Sequence, residues 1–156
     1  MVRDLGLAVS RTRLWWVGAH GGAGESTLEE LFYGTRAAGH AWPVGAPQGS
    51  ASAAVVVART SARGLQAVQH ALRQREAEQL AVDVVGLVLV ADAPGRLPRA
   101  LRDLVRHVGA AAPRVWSLPW VEAWRTGEPP TPENAPRGAA QLLGELQQAT
   151  STRSVP

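Results

Sequence analysis

A chain of 156 residues has room for one domain with a proper core and none for a second of ordinary size, and 46% apolar against 19% charged residues describes a globular chain. The absence of cysteine excludes disulfides, thiolate metal sites and cysteine nucleophiles together. All 16 basic residues are arginine, so no lysine can serve a phosphate site, and a net charge of +3 is weak evidence for a nucleic-acid partner.

Residues 1–13, MVRDLGLAVSRTR, read as an N-terminal extension without a long apolar core and cleavage site, and no run of 18 apolar residues follows. Neither a secretory signal nor a membrane span is expected, and the expected compartment is cytoplasmic. From Leu14 the chain reads LWWVGAHGGAGESTL: a short apolar strand over Leu14 to Val17, a glycine-rich turn and the opening of an amphipathic helix. That order suits a phosphate-binding loop, because small residues let backbone N–H groups converge and a helix N-terminus adds partial positive charge. Glu25, directly before Ser26 and Thr27, puts a negative charge where such a loop wants a positive one. Trp15 and Trp16 point to opposite faces of their strand, so at least one belongs to the core.

The first helix is expected over Ser26 to Ala38, with Leu28, Leu31 and Phe32 at helical spacing and Gly34 and Gly39 ending it. His40 to Ala53 reads as a loop with at most a short strand at Ala41 to Val44. The β-branched run Ala54 to Ala58 predicts a strand buried on both faces of a parallel sheet. A helix follows over about Ala62 to Leu80, with Leu65, Val68 and Leu72 inward and Arg73, Arg75, Glu76 and Glu78 outward. Val84 to Ala91 is expected to be a central strand. Asp92 to Gly95 turns it into a helix over about Pro98 to Val108, where Arg99, Arg102, Asp103, Arg106 and His107 lie opposite the apolar stripe. Arg114 to Leu118 is the last strand, Trp120 to Arg125 a helical turn or two, and Pro132 to Pro136 a linker. A final helix spans Gly138 to Ala149, and Thr150 to Pro156 reads as a flexible tail. Strands alternating with helices predict an α/β domain over residues 14–149, mainly parallel in its sheet.

The loop His20-Gly21-Gly22-Ala23-Gly24-Glu25-Ser26 resembles the deviant Walker A loop, KGGxGK[ST], of the ParA/MinD group of P-loop ATPases. It matches at the three glycines and the serine and departs at both lysines. VVVARTSARGL, VVGLVLVADAPG and VWSLPWVEAWRTGEPP then follow in the order of that family's later strands and helices, and the chain is also similar to small uncharacterised actinobacterial proteins with WWVGAHGGAG and VADAPG segments. The resemblance implies a three-layer αβα P-loop NTPase-like domain, trimmed relative to ParA/MinD. It places His20 where a lysine reaches the partner's nucleotide across a dimer, Glu25 where a lysine binds phosphate, and Ser26 at the magnesium position. The strand whose final aspartate helps hold magnesium has no counterpart between the first helix and AVVVA. A degenerate nucleotide site, Gly21 to Thr27 with His20, is what remains.

Each of these features has a plainer reading beside the functional one. Glu25, with Glu29 and Glu30, is either a helix-capping carboxylate or a repulsive group in the loop. Asp92 is either a turn former or a ligand or magnesium contact, and Trp120 and Trp124 either cover strand ends or form a partner surface or base-stacking platform. Arg99, Arg102 and Arg106 line up as a solvated face or as a DNA contact. No histidine has metal-ligand spacing and no nucleophile elbow exists, so neither a metal site nor a catalytic residue is expected. Two functions follow. One is a pseudo-ATPase module, without cofactor, that binds a protein partner or forms a homodimer in a plasmid, conjugation, partition or secretion system. The other is a switch or weak ATPase that binds ATP with magnesium through an atypical loop.

Overall fold

The computed structural model describes residues 14–45 and 51–152, so the 1–13 extension, the middle of the long loop and the end of the tail lie outside the described residues. The chain runs β1 (Leu14–Gly18), α1 (Glu25–Leu31), β2 (Arg36–Ala37), β3 (Ser52–Arg59), α2 (Ala62–Ala77), β4 (Val82–Val90), α3 (Arg99–Gly109), β5 (Val115–Leu118), α4 (Glu122–Arg125) and α5 (Ala139–Ser151). The five strands make one sheet in the order β2-β1-β3-β4-β5, and every pair is parallel.

Parallel strands need crossovers, and the crossovers cover both faces of the sheet. On one face Trp16, Val55, Val57, Val88, Val90 and Trp116 pack against Leu28 of α1 and Leu142 and Leu146 of α5. On the other, Val56, Ala58, Leu87 and Leu89 meet Leu65 and Val68 of α2 and Val108 of α3. This double covering is why residues 53–58 of β3 and 84–90 of β4 read as unbroken apolar runs. β3 takes the middle position and β4 is interior beside it. β5 differs: Trp116 and Leu118 are buried while Val115 and Ser117 are exposed, because one face of this edge strand is uncovered. Trp16 is fully buried on the first face, and Trp15 is half-buried on the second, packed with Val17 and Ala54.

A register shift between Ala54 and Val55 leaves Val85 between the partners of those residues and brings Gly86 opposite Val55. Gly86 then lies under the Trp116 indole: a Cβ there would collide with that ring and stand 2.8 Å from the Arg114 carbonyl. Gly86→Ala is expected to cost about 1–3 kcal/mol through overpacking, read as a melting temperature lower by roughly 2–4 °C per kcal/mol. A variant that melts with the parent would refute this account of the sheet.

The first helix is shorter than its periodicity predicts. It stops at Leu31, and Arg36 and Ala37 become an edge strand paired with Trp15 and Trp16. Gly34 has φ +84°, which reverses the chain, and Thr35 Oγ1 donates to the Phe32 carbonyl at 2.7 Å while accepting the Trp16 indole N–H at 2.7 Å. Pairing the outer edge of β1 satisfies backbone groups that a longer helix would leave open. Ala41 to Val44 lie in a loop without a strand, within the expected reading, and β2 forms the edge beside β1.

The second helix ends at Ala77 instead of Leu80, because Gln79 adopts φ +50° and Leu80 N–H bonds back to Arg75 O at 3.1 Å, a Schellman-type stop. Arg75 is half-buried, not turned outward, and its Nε donates to the Val82 carbonyl at 2.8 Å. The last helix runs on through Thr150 and Ser151, two residues assigned to the tail by sequence.

Trp116 ties α5 to the sheet. Its indole donates to Glu145 Oε2 at 2.7 Å, and Gln141 Nε2 donates to Glu145 Oε1 at 2.9 Å. The Gln141 bond first, then the Trp116 bond, hold the Glu145 carboxyl below its ordinary value. A lowered folded-state pKa gives stability that is present above the unfolded value of about 4.3 and lost as pH falls through the folded value. The advantage of the parent over Glu145→Gln in thermal unfolding is therefore expected to shrink on acidification below about pH 4.3; an advantage independent of pH would contradict it.

Candidate functional site

A doubly wound parallel sheet offers a ligand crevice outside the carboxyl ends of its strands, where consecutive crossovers leave in opposite directions. In the order β2-β1-β3-β4-β5 that point lies between β1 and β3. At this end of the sheet the loops after β1, β3, β4 and β5 line a cleft of about 350 Å³ that includes Gly22, Thr27, Arg59, Asp92, Trp120, Trp124 and Arg125.

The strand, glycine turn and helix expected at Leu14 to Leu28 are present in that order. Gly22 and Gly24 have φ +74° and +113°, which only glycine adopts without strain, and Gly24 is the N-cap of α1. The Ala23 methyl is buried in the core cluster and pins the loop from below. His20 is held at both ring nitrogens: Arg59 N–H donates to Nε2 at 3.0 Å, and Nδ1 lies 2.9 Å from the Gly21 carbonyl. A nitrogen that accepts from an amide must be unprotonated, so the ring is the neutral Nδ1–H tautomer donating to Gly21 O. His20 is therefore a strut between the glycine loop and β3. Gly21 is exposed, as is Ser26, while Thr27 is half-buried beside the cleft.

Glu25 is the one buried charged residue among the described residues, 8% exposed. Its carboxylate turns back over the end of β1: Gly24 N–H donates to Oε2 at 3.2 Å, and Oε1 lies 3.6 Å from His40 Nδ1. A Cβ on Gly18 would stand 2.6 Å from Oε2, so the glycine makes the space the carboxylate fills. His40 Nδ1 also lies 3.2 Å from Gly18 O, and Gly18 N–H donates to Gly39 O at 2.8 Å. Reaching the N-cap N–H is what a capping-box acid does, here from the first helical position. Glu25 is thus a cap whose carboxylate fills space at the base of the glycine loop.

Arg59, at the end of β3, was not singled out from the sequence, and neither was His40. Arg59 Nε donates to Gly22 O at 3.1 Å and Nη1 to Ala91 O at 3.2 Å, so this side chain joins three strand-end loops. Burial lowers its pKa, with attraction to Asp92 and then Glu25 opposing. The usable signal was its place immediately after a buried parallel strand. Asp92 is exposed on the cleft, its backbone N–H bonded to Thr60 Oγ1 at 3.3 Å. Its carboxylate makes no hydrogen bond of the Asx-turn kind among the described residues.

Trp120 precedes α4 and Trp124 lies within it, so they do not share one helical face, yet both border the cleft. Arg99 and Arg106 are exposed on α3 and Arg102 is half-buried; Arg106 pairs with Asp103 at 3.3 Å, and none of the three lines the cleft.

The Arg59 guanidinium feels the negative charges of Asp92 and then Glu25. No group of three His, Asp or Glu side chains among the described residues could hold a metal ion. No helix among them is long and apolar enough to cross a membrane. Comparison with curated proteins and with solved structures finds no match. One family model does match, over residues 12–142, and the chain belongs to that family, DUF6668, a family of unknown function.

Proposed function

We propose that the chain is a non-catalytic ParA/MinD-like P-loop module that acts by binding a protein partner or a second copy of itself, without hydrolysing nucleotide. The observation that carries this reading is the buried Glu25 carboxylate, which takes the Gly24 N–H and sits against Gly18 and His40 at the base of the glycine loop. An anion built into the loop opposes a second one entering it. The strand order supports a trimmed P-loop-like domain: β3 pairs directly with β1, and the one strand beyond β1 is two residues long. Among the described residues, β2 is the one strand between β1 and β3 along the chain, and it carries no aspartate for magnesium.

The second reading, a nucleotide-binding switch with ATP and magnesium, is favoured by Arg59, whose guanidinium reaches the glycine loop and could stand in for the missing lysine. Its bonds to two carbonyls and its balance against Glu25 and Asp92 argue the other way. Calorimetry on the purified chain with ATP and magnesium decides between the two. The module gives no binding in the micromolar range and no phosphate release, and micromolar, magnesium-dependent affinity would overturn it.

A further inference from the structure

The open part of the cleft has a charge layout that phosphate chemistry does not use. Trp120 and Trp124 both border it, yet the paired rings among the described residues are Trp16 and Phe32, so these two indoles do not stack on each other. Each indole N–H is already held, Trp120 by Glu122 at 2.7 Å and Trp124 by Asn134 at 2.9 Å. With its N–H taken, each indole has no donor left for a ligand, and its remaining means of contact is apolar ring surface.

The charges are arranged just as specifically. Arg59 uses Nε and Nη1 on loop carbonyls, which leaves its Nη2 end without a hydrogen-bond partner among the described residues. Asp92 lines the same cleft with an exposed carboxylate, and the ion pairs closer than 4.0 Å among the described residues do not include Arg59 with Asp92. A purely anionic ligand would meet the fields of Asp92 and Glu25, and a purely cationic one those of Arg59 and Arg125. A molecule with one charge of each sign meets a partner for both.

We propose that this cleft binds an α-amino acid with a flat aromatic side chain, its carboxylate at the Nη2 end of Arg59, its ammonium at Asp92 and its ring against Trp120 and Trp124. A cleft of about 350 Å³ is at the small end of ligand sites and suits one such molecule. The proposal goes beyond the partner-binding reading and is judged separately from it.

The test is calorimetry on the full chain with L-phenylalanine and L-tryptophan, beside 3-phenylpropionate and 2-phenylethylamine, which each keep one of the two charges. The amino acids are expected to bind at least about tenfold more tightly than either analogue, the scale of one charge-assisted hydrogen bond. Asp92→Asn is expected to weaken the amino acids by about the same factor while leaving 3-phenylpropionate unchanged or tighter, a split that a merely damaged fold would not produce. No binding of the amino acids at millimolar concentration, equal binding of all four compounds, or parallel losses for amino acid and 3-phenylpropionate in Asp92→Asn would each overturn the proposal. ATP binding by the parent would instead count against the non-catalytic reading.

Discussion

Glu25→Lys is expected to raise affinity for ATP with magnesium by at least about a hundredfold over the parent. Two like unit charges at ~5 Å and an effective dielectric near 20 repel by about 3 kcal/mol, which is roughly a hundredfold in binding. The substitution removes that repulsion and adds attraction of similar size. It also releases the Gly24 N–H that Oε2 now occupies, returning a backbone donor to the loop. Gly18→Ala supplies an independent arm, since its methyl would stand 2.6 Å from Oε2 and push the carboxylate out without changing the charge of the chain. Calorimetry with ATP and magnesium reads both variants. If the parent binds tightly and Glu25→Lys does not, the carboxylate is a working metal ligand and the sign assigned to this site is wrong.

Gly64→Ala is expected to be the most damaging small change near the site. Ser61 caps α2 by accepting the Gly64 N–H at 3.0 Å, which brings the first turn down onto the end of β3. A Cβ on Gly64 would collide with the Arg59 carbonyl and stand 3.0 Å from His20 Nε2 and 3.1 Å from Ser61 Oγ. A strand-end carbonyl beside a fully buried run of β3 cannot give way as a flexible side chain can, so the loss lies at the upper end of the usual overpacking range, about 3 kcal/mol. For a domain of this size that is a fall in melting temperature of roughly 6–12 °C. Gly21→Ala is the control: a Cβ there meets nothing within 4 Å, and Gly21 is not among the positive-φ glycines. Equal melting temperatures for Gly64→Ala and Gly21→Ala would show that α2 is not seated on β3 in this way.

Both predictions concern residues whose importance was unequally visible in the amino-acid order. The position of Glu25 was legible, because the loop around it has a fixed spacing and a wrong charge stands out there. Its burial was not. Whether a carboxylate beside a helix start turns outward or inward depends on a glycine seven residues earlier and a histidine fifteen later, contacts that no local pattern encodes. Arg59 carries no local distinction in the sequence, being one arginine among sixteen in a chain whose basic residues are all arginine. The resemblance sets His20 at the position of a lysine that reaches across a dimer, and the bonds of its ring to Arg59 and Gly21 are visible only in the fold.

The periodicity of the chain sufficed for the alternation of buried strands and amphipathic helices, for the parallel sheet, and for a strand, glycine turn and helix at Leu14 to Leu28. These follow from side-chain period and turn chemistry, which act over a few residues. Packing decided what depends on neighbours distant along the chain. The open edge of β1 drew Arg36 and Ala37 out of an expected helix, and the Trp116 ring required Gly86 beneath it. The strand order then brought Arg59, Asp92, Trp120 and Trp124 from three separate loops to one cleft. Backbone groups and ring surfaces must find partners wherever the fold supplies them, and for these residues the partners became adjacent only once the sheet had formed.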